Sequence, residues 1–522
     1  MTSFPGFLEL PAELVTNILH ELDVASMLTT ARVCSLLRDL IAGSTALQYK
    51  IELKRLGMVH FSGGLTAAQC KERLQAYQTA WDSLKWNEEC AIPMSPAPMT
   101  WELQGGVLAQ AENHTSFSFS RLPAPTRGIS TLEWRIDDVD VEARDFTIDC
   151  SQDLLIIVEE AVHVGTVLEI VWVHFRTMST GKKHPHALSE SKVSHRLGVI
   201  PDFGVSYELA VYGDYVAVQF RAPRRGSSWI TRSPSELVVW NWKTGNMHFS
   251  ISGAELRAFS FINDTYILLG LLQHPQIDSE PSLMILDMNK TAADKTSANP
   301  VPLHELQHHI ALFLPPLIQS ADCVEIRIRS DPVIPTYATP FDRQPPFTVD
   351  PSDRLFVVSF WIQDDLEANG YTLFLPLSTI IPYAALLSRS KRRTVEWSMW
   401  GPDGTRLIPM PELQSNVWVC YVHGMRYVVR GGRLERHNSF TIYNFKRRHL
   451  RSHDHTEYDS PTIQTMPTII SDMHTFEDSV ITRLPYWTSS TTLVPDGNPS
   501  ALPPVLLTED ALVFVHQNVG HE

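Results

Sequence analysis

The sequence predicts an α+β multidomain chain, with a small helical module at the N-terminus followed by a large all-β domain that reads as an irregular β-propeller. Three observations predict this. Apolar residues recur with a helical period through the first ninety positions, and beyond Ala91 they give way to short β-branched or aromatic runs punctuated by Gly, Pro, Asp and Asn. A loose repeat of paired strands within the second region is the third. We divide the chain into a helical module at 1–60, a linker helix at 61–90 and a β-rich domain at 91–522; its 522 residues suffice for one large core and one small one.

The helical elements follow in order. From Pro11 to Leu22, Leu14, Val15, Ile18, Leu19 and Leu22 fall on one side of a helix, with Pro11 where a first-turn proline is tolerated. Asp23 can cap a short second helix through Met27 and Leu28, and Val33, Leu36, Leu37, Leu40 and Ile41 define a third. Gly43 and Ser44 interrupt the pattern before a further helix that Gly57 ends. Helices this short are marginal alone, because nucleation is costly and their stripes cannot make a large core.

The series Leu10-Pro11-x-Glu13-Leu14, Ile18-Leu19-x-x-Leu22, Leu28 and Val33-Cys34 resembles the F-box family over about residues 7 to 53. The resemblance implies docking onto the adaptor subunit of an SCF ubiquitin ligase, and through it onto cullin and RING subunits. It would place Leu10, Pro11, Ile18, Leu19, Leu28, Val33 and Cys34 at or just beneath the adaptor surface. Leu37 stands where many members carry tryptophan, which keeps the site apolar but removes an aromatic anchor. The competing reading makes residues 7 to 56 a helical cap on the larger domain.

Thr66-Ala-Ala-Gln69 has capping-box spacing and starts the linker helix, whose stripe is Cys70, Leu74, Tyr77, Trp81 and Leu84. Glu72-Arg73-Leu74 through Trp81 to Trp86 resembles a segment that follows the F-box in many fungal proteins, so a fungal source is expected. A helix of this kind can pack on both domains and set their angle.

In the β region, Asp153 to Glu159 precedes Leu168 to His174, Gly213 to Val218 precedes Leu237 to Gly245, Asn263 to Leu269 precedes Leu283 to Asn289, and Ser352 to Val358 precedes Tyr371 to Leu375. Each unit is a polar turn, a strand, a loop and a second strand, the rhythm of propeller blades. The steps Asp153 to Asp214 and Asp214 to Asp264 are 61 and 50 residues, at or beyond the ~40 to 50 of compact repeats. A β-sandwich or irregular multi-sheet domain stays open, as does blade number. Gly181 to His195, Lys290 to Pro302, Asp331 to Asp350 and Arg451 to Met466 read as mobile insertions that could contact a target.

A net charge of −15 argues against gripping phosphate backbones. The runs Lys391-Arg392-Arg393 and Lys446-Arg447-Arg448 read first as solvated loops. Cys34, Cys70, Cys90, Cys150, Cys323 and Cys420 have neither zinc nor disulfide spacing and read as reduced core residues. The opening residues lack a basic, then apolar, leader pattern, and Leu154 to Phe175 is broken by acids and Gly165 into two strands rather than a span. A cytoplasmic or nuclear protein is expected, touching neither membrane nor nucleic acid, with the sequons at Asn113, Asn263 and Asn289 unused.

The histidines of His184-Pro-His186, His308-His309 and His453-Asp-His455 read as surface or loop residues, and Asp137-Asp138-Val-Asp140 as a solvated edge. With no nucleophile elbow, phosphate loop or dinucleotide fingerprint, no catalytic residue, metal or cofactor is expected. The function expected is that of a non-catalytic substrate-recognition subunit of an SCF-type ligase holding an unidentified protein target. A non-ligase propeller scaffold or ligand-binding protein is the alternative, and a propeller enzyme with buried carboxylates in a central pocket comes third.

Overall fold

The computed structural model describes residues 7–61, 64–84, 89–94, 99–159, 162–164, 168–198, 205–221, 234–273, 280–293, 299–331, 345–364, 367–387, 392–410, 421–430, 438–446, 462–493 and 504–515. Five helices come first: α1 (Ala12–Glu21), α2 (Val24–Thr30), α3 (Ser35–Gly43), α4 (Thr45–Leu56) and α5 (Ala67–Ser83). Several expected starts and stops are made, but Pro11 precedes α1 as its N-cap and Val33 lies before α3, which starts after Cys34. The Asp23 side chain accepts from Ser26 N at 2.9 Å, Gly57 ends α4 at φ 63°, and Thr66 and Gln69 form a reciprocal capping box.

Among the described residues, six sheets of four or five strands follow. Blade 1 comprises Thr100–Gln104, Val107–Ala111, Phe117–Arg121 and Leu132–Ile136; blade 2 Ala143–Asp149, Leu154–Glu159, Leu168–Thr177 and Lys192–Arg196. Blade 3 runs through Ser206–Tyr212, Tyr215–Arg221, Ser235–Asn241 and Met247–Ser252, and blade 4 through Leu256–Phe261, Tyr266–Leu271, Ser282–Asp287 and His309–Phe313. Asp322–Arg329, Leu355–Gln363, Ala368–Pro376 and Arg406–Pro409 make blade 5; Val422–His423, Arg426–Arg430, Asn438–Asn444 and Tyr486–Leu493 make blade 6. Within each blade these four strands are consecutive antiparallel neighbours; from blade 1 through blade 4 the first strand touches that of the next blade, and the second strand of blade 5 touches the first of blade 6. First strands inward and blades in a ring define a six-bladed β-propeller.

Both faces of a blade are buried, which explains why its strands read as continuous apolar runs. Along Leu154–Glu159, Leu155 and Ile157 enter the core shared with blade 1, while Leu154, Ile156 and Val158 enter the core shared with blade 3. The four sequence repeats are the second and third strands of blades 2 to 5. In blades 2 to 4 their polar turns close the hairpin between first and second strands, and in blade 5 the turn at Asp350 leads from Phe347–Val349 into the second strand. Asp153 adopts φ 54° and accepts from Ser179 N at 2.8 Å, and the Asn263 side chain accepts from Thr265 N and Tyr266 N at 2.9 and 2.8 Å. Blades 1 and 6 lack this signature.

Later blades reach back to earlier ones. Val301–Pro302, lying between the third and fourth strands of blade 4, pairs in parallel with the outer strand of blade 3; Arg392–Val395, in the same position of blade 5, does so with blade 4. From blade 6 the hairpin Thr468–Ile470/Val480–Thr482 lies on Arg406–Pro409 of blade 5, where Leu407 N donates to Thr482 Oγ1 at 3.0 Å. A C-terminal hairpin, Val505–Leu507/Leu512–Phe514, fills the last gap, packing on blade 6 while Leu506 joins Leu103 and Leu108 of blade 1.

Several expectations are corrected. Gly181 to His195 is no loose insertion: it delivers the outer strand of blade 2, and buried His184 donates its backbone N–H to Phe175 O at 3.1 Å. His309 is buried within a blade 4 strand, so neither it nor His184 is a surface residue. Arg392 and Arg393 begin a strand instead of a solvated loop. Cys70, Cys150 and Cys323 are buried free thiols, but Cys34 is half-buried and Cys90 exposed. Helices Leu377–Leu386 and Trp397–Gly404 were not anticipated, because internal Pro382 and Pro402 argue against them locally. Trp86, Cys420, Lys391, Arg447, Arg448, His453 and His455 lie outside the described residues.

Candidate functional site

The opening helices carry more apolar surface than their own core can use. Val15 and Leu19 of α1, Met27 of α2, Leu37 and Ile41 of α3 and Leu47 of α4 converge in one buried cluster. Pointing away from it, Leu14, Ile18, Leu28 and Leu36 are each nearly half exposed, Phe7 is exposed, and Val33 between α2 and α3 is 72% exposed. Helix periodicity explains the split: Leu14 and Ile18 sit one turn apart on one face of α1, and Val15 and Leu19 one turn apart on the neighbouring face.

The eight residues singled out from sequence therefore divide. Pro11, Ile18, Leu28 and Val33 are exposed, Leu10 and Cys34 are half-buried against the module's core, and Leu19 and Leu37 are part of that core. Leu37 thus acts inside the module, where leucine fills space without needing a polar partner. Phe7, Leu14 and Leu36 join the exposed ledge; the signal for Leu14 and Leu36 was present in the sequence as a stripe too wide for one interface.

The module packs against the propeller through a shared core. Leu47 of α4 points into the helical core, while Tyr49 and Leu53 enter a second core with Cys70, Leu74, Tyr77, Trp81 and Leu84 of α5 and with Phe347, Val349, Val428, Phe440, Ile442 and Leu507 of the propeller. Met58–His60, just after α4, pairs antiparallel with Phe347–Val349 from the segment between the first and second strands of blade 5, as a separate two-stranded sheet. Truncating the fully buried Leu74 to alanine is expected to lower unfolding free energy by about 2–5 kcal/mol, measured by chemical denaturation.

A buried polar clasp secures the same junction. Arg127, in the turn between the third and fourth strands of blade 1, donates from Nε to Asp510 Oδ1 at 2.7 Å and places Nη1 2.9 Å from Glu509 Oε2, both in the C-terminal hairpin. Glu509 accepts from Val349 N at 2.8 Å and from Thr348 Oγ1 at 3.1 Å; its carbonyl accepts from the Tyr77 hydroxyl at 2.6 Å. Arg426 of blade 6 donates to that hydroxyl at 3.0 Å and lies 4.5 Å from the Trp81 ring centre. Burial opposes the Arg127 charge, but Asp510 and Glu509 outweigh it and hold the guanidinium above its ordinary pKa. Burial pushes Tyr77 up to about 12 and His423 down to about 3, so at neutral pH the hydroxyl is protonated and the imidazole uncharged.

The first strands bring a second polar group to the ring axis. Glu208 of blade 3 pairs with Arg329 of blade 5 and with Arg221 at 3.4 Å, and Arg221 also reaches Glu325 at 3.4 Å. Burial, then the Asp145 charge, pushes Glu102 of blade 1 up to about 8; burial pushes Asp145 up to about 6. A carboxyl kept protonated by folding binds more protons than the unfolded chain between its ordinary 4.5 and 8, so stability falls as pH rises through that window. Glu102→Gln is expected to flatten the fall; as Glu102 is half-buried and partly screened, the gain at pH 8 over pH 5 is about 2 kcal/mol, read from melting curves. Among the described residues no cluster of three or more His, Cys, Asp or Glu has metal-holding geometry.

The opening helices thus present an uncovered apolar ledge beside a six-bladed propeller. Residues 7–45 match the F-box domain family, and the chain carries an F-box domain there. No curated protein matches the sequence. Among solved structures, one described as "Crystal structure of the eukaryotic initiation factor" is similar at 10% identity and a TM-score of 0.25, over 76% of this chain and 91% of that one. So low a score carries no argument, and the propeller assignment rests on the strand pairing above.

Proposed function

We propose that the protein is the substrate-recognition subunit of an SCF-type ubiquitin ligase, binding the adaptor through the F-box and a protein target through the propeller. The observation that carries this reading is the ledge itself: Phe7, Leu14, Ile18, Leu28, Val33 and Leu36 are left uncovered within the family-matched segment. Covering each such side chain with a partner contributes on the order of 1–2 kcal/mol, and exposed patches of this kind mark interaction sites. No catalytic group is needed in this role, because holding a target lysine near the ubiquitin thioester raises its effective concentration. The clasp at Arg127 serves that task by keeping the propeller at one angle to the F-box. A cytoplasmic or nuclear setting fits the role.

The alternative reading is a ligand-binding propeller outside any ligase. Co-purification with the SCF adaptor separates the two. Wild-type chain is expected to retain adaptor and the Leu10→Ala, Pro11→Ala double variant to lose it with its β domain still folded; failure of the wild-type chain to retain adaptor sinks the ligase reading.

A further inference from the structure

All the exposed large apolar side chains but Met99 fall, among the described residues, in two groups. Among the described residues, six of the seven outside the F-box lie between Ile381 and Met473, and three of the six are methionines: Met399 at 74% exposure, Met466 at 75% and Met473 at 58%. Met399 and Met473 sit on the segments that seal the outer rim of blades 4 and 5, whereas Ile463 lies on an edge strand of blade 6. Helix Trp397–Gly404 buries Trp397, Trp400 and Gly401 and turns Met399 outward. In the hairpin from blade 6, Ile470 and Val480 face the core while Ile469 stands exposed opposite Ile481.

The two elements form one surface. Trp400 Nε1 donates to Phe313 O at 2.9 Å, Glu477 N to Pro316 O at 3.1 Å and Arg483 N to Pro402 O at 2.7 Å, so helix and hairpin turn lie over the same stretch of chain. Acidic groups crowd there as well. Glu396 and Glu477 are exposed, Asp403 and Asp478 flank them, and Glu280 beneath is pushed up to about 7 by its burial, then by Glu477 and Glu396. Arg483 offsets only part of this charge through Asp403.

We propose that this rim is a docking surface for a basic amphipathic segment of a protein target, its aliphatic side chains seated on Met399 and Met473 and its Lys or Arg residues facing Glu396 and Glu477. Unbranched, polarisable methionine adapts to varied apolar partners, and a fixed acidic border selects cationic ones. The inference rests on the target-receptor reading and names the chemistry of that target. The surface belongs to the propeller and is separate from the adaptor ledge.

The test uses full-length chain carrying Ile18→Asp and Val33→Asp to silence the ledge, and a fluorescein-labelled helical leucine–lysine peptide of about 14 residues. Anisotropy is expected to report binding of this peptide and none of its leucine–glutamate counterpart. Peroxide footprinting is expected to show Met399 and Met473 protected about fivefold while Met99 oxidises as before. Glu396→Lys with Glu477→Lys should weaken binding at least about tenfold, a loss of ~1.4 kcal/mol, and Met399→Ser with Met473→Ser should do likewise with both glutamates intact. No binding, equal binding of the acidic peptide, equal protection at Met99, or undiminished binding by either pair of variants overturns the proposal. Adaptor capture by wild-type chain is read separately: its loss with the rim intact overturns the ligase reading, and the reverse outcome overturns the rim alone.

Discussion

Ile18→Asp combined with Val33→Asp is expected to reduce adaptor capture by at least about 100-fold, since two centrally placed apolar contacts commonly contribute about 2 kcal/mol each. The melting temperature should move little, because both side chains already face solvent. Leu19→Ala and Leu37→Ala make the contrasting pair: both are buried in the module's core, and each is expected to destabilise it by about 2–5 kcal/mol. Loss of capture without loss of fold distinguishes a docking ledge from a helical cap. Measurement by surface plasmon resonance beside differential scanning calorimetry gives both quantities; undiminished affinity in the double aspartate variant would remove the ledge from consideration.

Arg127→Met carries the second large effect. It leaves Asp510 and Glu509 buried without their cation, and breaking such a pair typically costs about 3–5 kcal/mol. The consequence extends beyond stability, because the same two residues hold Phe347–Val349 and, through Tyr77, the helix α5. Limited proteolysis should therefore cut between α5 and blade 1 sooner in the variant. Its pH dependence has a definite sign. Burial already raises the Asp510 pKa, and without Arg127 it rises further, so the variant should lose more stability at pH 8 than at pH 5. Adding Asp510→Asn should recover part of the loss at the higher pH, and a variant as stable as wild type at both would show that the clasp is not a constraint.

Legibility differed from element to element for physical reasons. The α5 stripe of Cys70, Leu74, Tyr77, Trp81 and Leu84 was readable because one face of one helix is buried, and all five are buried. Strands of blades 2 to 5 were readable from polar turns followed by apolar runs. Blades 1 and 6 turn instead at Gly105–Gly106 and Gly424, all at positive φ, and glycine turns leave no distinctive repeat. His184 looked like a loop residue in a His-Pro-His run, yet it lies buried beside Trp242 with ring centres 4.8 Å apart. Its surroundings come from residues far along the chain, which local pattern does not report.

The F-box ledge shows the same division at higher resolution. Chain order, the Asp23 cap of α2 and the apolar excess of α1 to α3 were determined by the sequence alone, because helix period and capping are local properties. Which leucines turn inward was decided by tertiary structure: α4 covers Leu19 and Leu37 from one side and leaves Ile18, Leu28 and Val33 bare. Blade number, the backward-reaching strands and the clasp of Arg127 with Asp510, 383 positions apart, were likewise decided only on ring closure. Contacts at such separation depend on where the whole ring brings the chain, and no local spacing of residues encodes that.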